Sequence, residues 1–125
     1  MLGFLYYAAA FIIFAHGLIH LIGVAVYLQL AVVNEIPYKT TLLRGRWEIG
    51  ETGARIFGLL WLAGSIGFIV SAAGMAFRTD WWQPVLLLST LFSLVVTILD
   101  WDAAKFGAIT NIIILITLII VQFIL

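Results

Sequence analysis

The sequence predicts an all-α integral membrane protein, a single domain built as an antiparallel up-and-down bundle of four transmembrane helices. Of its 125 residues, 65% are hydrophobic and only 10% are charged, too few polar side chains to cover so much apolar surface in a water-soluble globule. Four apolar runs are long enough, with their flanks, to cross a hydrocarbon core of about 30 Å, which takes roughly 20 helical residues. No stretch alternates with period two, and helices satisfy their own backbone groups inside lipid. The lipid bilayer is the first partner implied.

The first helix is expected over residues 2–33. It has no basic start and is too long for the core of a signal peptide, so it reads as a retained span. The connection NEIPYKTTLLRGRWEIGE contains Pro37 and is the one long loop. A short interfacial helix is expected in it, around Thr41 to Trp47. The second helix is expected over 48–78. Ala54 and Gly58, then Ala63, Gly67 and Ser71, are spaced by four along it, and small residues so spaced let helices approach closely in lipid. That face serves packing inside the bundle or docks another membrane subunit or a second copy of the chain. The third helix is expected over 82–100, with Thr79 or Asp80 as its cap and Pro84 in its first turn. The fourth is expected over 103–125, with Asp102 as its cap. The turns RTDWWQP and DWDAAK are short, which forces antiparallel neighbours.

Charge orients the bundle. Lys39, Arg44, Arg46, Arg55 and Lys105 lie in or beside the first and third connections, whereas Arg78 stands alone in the second. The positive-inside rule then puts the first and third connections in the cytoplasm and both termini outside, in a multi-pass protein of the cell membrane. Trp47 and Trp101 mark one interface, and Trp81 and Trp82 the other. The net charge is zero and no basic patch exists, which argues against nucleic acid as a partner. There is no cysteine, hence no disulfide and no thiolate chemistry.

Placing each helix midpoint at the bilayer centre gives a depth for every polar group. His16 falls near the centre, and His20 lies slightly toward the cytoplasmic leaflet, level with Thr110 and Asn111. Arg55, Thr97, Glu51 and Asp100 follow nearer the cytoplasmic surface. Polar groups in a membrane face the bundle interior or a wet cavity. A pocket in the cytoplasmic leaflet is therefore expected, walled by His20, Asn111, Arg55, Glu51, Thr97 and Asp100, with His16 at its floor. Glu51 and Arg55 are spaced for an ion pair, unless Arg55 snorkels outward. Asp100, Asp102 and Lys105 also read as turn and cap residues in water.

The segment AHGLIHLIG puts His16 and His20 on one helix face, one turn apart, which is the spacing of a two-imidazole metal site. Zinc or iron wants further ligands, and Glu48, Glu51, Asp100 and Asp102 all come out nearer the surface. A haem clamped between two imidazoles needs them on opposite sides of the porphyrin. A quinone or another amphipathic ligand asks less: one neutral imidazole as hydrogen-bond partner and apolar walls for the ring. The remaining reading is a polar pair that bonds another helix, with Asn111 as partner. By depth, His16 reads as structural and His20 as the pocket residue. Gly17 and Gly23 flank the pair and permit close approach of a helix or a ligand.

HGLIHLIG, GLLWLAG and LDWDAAKFGAITNIIIL together resemble small bacterial four-helix membrane proteins near the DoxX-like families. The resemblance implies the four-helix fold and marks His16, His20, Lys105, Gly107 and Asn111 as pattern positions. It implies no reaction. DoxX proper looks like a quinol-oxidase-associated subunit, which points toward a respiratory partner. A binding module or accessory subunit is thus the first expectation, and a redox or metal-dependent membrane enzyme using His16 and His20 the alternative. A transporter is disfavoured, because no internal repeat offers alternating access.

Overall fold

The computed structural model describes residues 2–123. Four helices, α1 (Leu2–Tyr27), α2 (Gly50–Ala76), α3 (Trp82–Leu99) and α4 (Trp101–Phe123), run up and down, and each is long and apolar enough to cross a membrane. Close backbone contacts run from α1 to α2, from α2 to α3 and from α3 to α4. Among the described residues the backbones of α1 and α4 make no comparably close approach, and the two helices meet through side chains.

The helix ends differ from expectation in ways the backbone explains. α1 stops at Tyr27 rather than at residue 33 because Gln29 takes a left-handed conformation, φ 57°. The Leu30 N–H then bonds the Ala25 carbonyl and the Gln29 N–H the Val26 carbonyl, a Schellman stop. α2 ends the same way: Arg78 is left-handed, and the N–H groups of Arg78 and Thr79 close on Met75 and Gly74. The Thr79 hydroxyl also donates to the Gly74 carbonyl. Neither Thr79 nor Asp80 caps α3, whose N-cap position is Trp81 without a side-chain bond. The predicted end of the fourth helix, 124–125, lies outside the described residues.

The expected interfacial helix at Thr41 to Trp47 is a small hairpin instead. β1 (Thr41–Leu42) pairs antiparallel with β2 (Trp47–Glu48), Thr41 opposite Glu48 and Leu42 opposite Trp47. Leu43, Arg44 and Gly45 between them all have positive φ, which reverses the chain and cannot continue a right-handed helix. Leu42 plugs into the end of the bundle, and the Leu43 N–H bonds the last carbonyl of α3, at Leu99.

α3 and α4 are joined by Asp100 alone, whose carbonyl receives the N–H groups of Ala103 and Ala104. α4 therefore begins at Trp101, with a break in helical geometry at Ala104. Asp102 is not its N-cap; it reaches Arg44 of the hairpin at 3.0 Å on the surface.

Two apolar clusters fill the bundle. One, at the hairpin end, centres on Tyr27, Leu42, Phe57, Trp61 and Val96. The other, at the Arg78 end, centres on Ile13, Phe68, Met75, Leu86 and Ile114. A layer of buried polar side chains separates them: His16, His20, Ser65, Ser93, Thr97 and Asn111. Close helix approach brings this layer together. A Cβ on Gly17 would stand 3.0 Å from the Phe68 Cβ, and one on Gly23 only 2.5 Å from the Trp61 indole. The neighbour these two glycines admit is α2. Of its small-residue face, Gly67 meets Ser89 of α3 and Ser71 is buried, whereas Ala63 is exposed.

Candidate functional site

His16 and His20 come from successive turns of α1, with ring centroids 4.8 Å apart and edge to face. Phe68 and Trp61 of α2 pack against them, Phe68 touching both rings and Trp61 touching His20. The i to i+4 spacing has a local use: His20 Nδ1 bonds the His16 backbone carbonyl at 2.8 Å. A carbonyl only accepts, so Nδ1 carries the hydrogen and Nε2 of a neutral ring is left as an acceptor. The Ser93 hydroxyl, 2.6 Å away, therefore donates to it. Ser93 Oγ in turn accepts from the Asn111 amide at 2.9 Å.

A second anchor fixes the other end of this chain. The Thr97 hydroxyl gives its hydrogen to the Ser93 carbonyl at 2.8 Å, so toward Asn111, at 3.3 Å, it can only accept. The Asn111 nitrogen must face Ser93 and Thr97, and its oxygen faces His16 Nε2 at 2.9 Å. His16 thus donates from Nε2, and the bonds form one closed circuit from the His16 carbonyl through His20, Ser93 and Asn111 back to the His16 ring. Every hydrogen in it points the same way round. The one ring nitrogen left over is His16 Nδ1, an acceptor without a partner among the described residues.

Beside this layer a cleft of about 220 Å³ runs from His16 to the hairpin end. Its sides are α1 (Ile19, Ile22, Gly23) and α4 (Phe106, Gly107, Thr110), and Trp61, Thr97 and Asp100 lie behind. The cleft lies between α1 and α4, flanked by the exposed side chains of Ile19 and Phe106. Ile36 of the connection reaches its end. The Trp61 indole is 7% exposed, and its N–H is the one fully buried side-chain polar atom without a partner among the described residues. An unmade bond of this kind costs about 1–3 kcal/mol.

The hairpin end of the cleft holds a second polar group. Asp100 is 2% exposed; it accepts from the Tyr27 hydroxyl at 2.6 Å and pairs with Lys39 at 2.5 Å. Buried, it is not the solvated turn residue that its position in a short connection allows.

Comparison of the chain with family models, curated proteins and solved structures finds no match.

The predicted pocket residues separate into two groups. His16, His20, Thr97 and Asp100 line the cleft, and Asn111 is buried among them. Glu51 and Arg55 do not join them: both are exposed, and no ion pair links them among the described residues. Their stretch of α2 turns Ala54, Phe57 and Gly58 inward, which leaves Glu51 and Arg55 on its outer side. The depth argument that set His20 against Asn111 also changes. His16 meets Asn111 directly, because α4 begins two residues earlier than expected and α1 ends sooner, which brings Asn111 and His16 to one level.

For a metal, the histidines offer one free nitrogen between them, and no group of three or more His, Asp or Glu suited to a metal occurs among the described residues. Sequence reasoning missed Ser93, Trp61, Lys39 and Tyr27. Ser93 has a visible signal: with Leu86, Thr90 and Thr97 it forms a stripe at helical spacing, and all four are buried. The reach of Lys39 to a carboxylate 61 positions away has none.

Proposed function

We propose that this chain is a small membrane-embedded binding module whose cleft takes the polar head of an amphipathic ligand, lipid-like or quinone-like, entering sideways between α1 and α4. One observation carries the reading: a cleft between α1 and α4 is lined mostly by apolar side chains together with His16, whose Nδ1 has no hydrogen-bond partner among the described residues, and Trp61, whose N–H is likewise unpartnered and lies buried behind it. Pockets for small molecules combine mostly apolar walls with a few placed polar groups, and polar side chains at membrane depth belong to functional sites by default. Lys39 and Asp100 neutralise each other at the hairpin end, which suits an uncharged head.

By the excess of Lys and Arg in the first and third connections, the cleft belongs to the cytoplasmic leaflet and both termini lie outside. A reporter enzyme that works only outside the cytoplasm, fused after Leu125, is the check on that orientation. An accessory role beside a respiratory enzyme, in line with the DoxX-like resemblance, is a proposal about where such a ligand would be handed on.

Photolabelling tests the binding reading. A diacylglycerol bearing a photoactivatable group near its hydroxyl, incorporated with the protein in lipid nanodiscs, should label peptides containing Ile19 to Gly23 and Phe106 to Thr110. Unlabelled diacylglycerol should compete it away. Labelling spread evenly over the lipid-facing surfaces of all four helices, and unaffected by competitor, would remove the basis for a site.

A further inference from the structure

We infer that the ligand of this cleft is a lipophilic alcohol or phenol, held by donating its hydroxyl hydrogen to Nδ1 of His16. The inference rests on the binding reading above and adds the polarity of the head that the cleft selects.

The argument follows the hydrogens. Two groups in the polar layer have no freedom: the His16 carbonyl can only accept, and the Thr97 hydroxyl is committed to the Ser93 carbonyl. The first makes His20 a donor from Nδ1, and the second turns the amide nitrogen of Asn111 toward α3. From either end the same result follows for His16: its Nε2 faces the Asn111 oxygen and holds the hydrogen. In a neutral imidazole the other nitrogen is then a bare lone pair. His16 lines the cleft and is 6% exposed. Its Nδ1 has no hydrogen-bond partner among the described residues, and the ring that carries it borders the cleft. A ligand whose head is only a carbonyl, ester or ether has nothing to give this atom. A hydroxyl does.

Charged heads fit less well. An ammonium would meet the lone pair but would bring an unpaired charge to the depth of the histidines, because the one carboxylate of the cleft is already held by Lys39 and Tyr27. A carboxylate would face that same carboxylate. The walls, Ile19, Ile22, Gly23 and Phe106, suit a chain or ring behind the hydroxyl.

The test has two parts, both on the full chain in nanodiscs. Histidine labelled with the heavy nitrogen isotope reports which ring nitrogen of His16 carries hydrogen. The expected result is hydrogen on Nε2 and a bare Nδ1, whose resonance moves toward the hydrogen-bonded range on adding nonylphenol. Hydrogen on Nδ1 in the unliganded protein would overturn the inference without any variant being made.

The second part compares nonylphenol with its methyl ether. One lost hydrogen bond predicts saturable binding about tenfold tighter for the phenol. In His16→Phe, which keeps a ring against Phe68, that preference should fall to about one. Equal affinity of phenol and ether for the natural chain sinks the assignment of polarity and leaves the cleft as a binding site. Failure of both compounds to bind, with photolabelling by diacylglycerol intact and competed equally well by diacylglycerol and by its O-methyl ether, also sinks it alone. Failure of all three probes takes the binding reading down as well.

Discussion

Replacing Asn111 by leucine tests the polar layer most directly. Leucine keeps the branch at Cγ and removes both the oxygen and the nitrogen. Asn111 makes three side-chain bonds, to His16, Ser93 and Thr97. Side-chain hydrogen bonds inside membranes average about 0.6 kcal/mol and reach about 1.7. The loss should therefore be about 2 kcal/mol, with an upper bound near 5. The lower figure is about a 30-fold fall in the ratio of folded to unfolded protein, readable by steric trapping in bicelles. The circuit also predicts which pairs couple. His16→Phe and Asn111→Leu should couple directly, by about 0.5–1 kcal/mol. His20→Phe and Asn111→Leu should couple through Ser93 on one side and through His16 on the other, so that Ser93→Ala lowers their coupling and leaves the part carried by His16. A coupling between His20 and Asn111 that Ser93→Ala leaves unchanged refutes the circuit as drawn, and so does an Asn111→Leu protein as stable as the parent.

Gly23→Ala puts a methyl group 2.5 Å from the Trp61 indole, and overpacking of this kind should cost about 1–3 kcal/mol and shift the tryptophan emission; an unchanged spectrum and stability would mean that α1 and α2 are less tightly apposed. Lys39→Met leaves the Asp100 carboxylate, 2% exposed, with Tyr27 alone. Because the Lys39 side chain is 29% exposed, the loss should fall below the about 3–5 kcal/mol of a fully buried pair, and Asp100→Asn in the same background should recover part of it in the unfolding assay. Gln29→Gly should stabilise the chain by about 0.5–1 kcal/mol, since glycine takes the left-handed conformation at φ 57° without steric penalty; a destabilised variant would show that the Gln29 side chain contributes something its backbone does not reveal.

The four spans were legible because hydropathy acts over whole segments, and no local detail can reverse an apolar run of that length. The helix ends were not. The two Schellman stops use Gln29 and Arg78 where glycine is the usual sign, so the left-handed residues left no mark in the sequence. The hairpin was hidden in the same way, with Leu43 and Arg44 sharing the positive-φ turn with Gly45. For the site, residue type identified most of the participants, and depth gathered Asn111, Thr97 and Asp100 with the histidines. Depth could not assign partners. An error of two residues at the start of α4 is enough to pair Asn111 with the wrong histidine, and the direction in which Glu51 and Arg55 face depends on helix rotation, which hydropathy leaves open. Asp100 looked like a solvated turn because its cation comes from a distant loop.

The polar layer between the two apolar clusters also decides which of many similar packings is the native one. Isoleucine, leucine and valine faces can slide past one another by one helical turn, about 5.4 Å, and still find apolar neighbours. The layer cannot. Such a slip of α4 would carry Asn111 away from His16, Ser93 and Thr97 together, and a slip of α1 would strand both imidazoles in hydrocarbon. In a chain whose other contacts are almost interchangeable, these few side chains act as the notch of a key, holding the vertical alignment of four helices to a single setting.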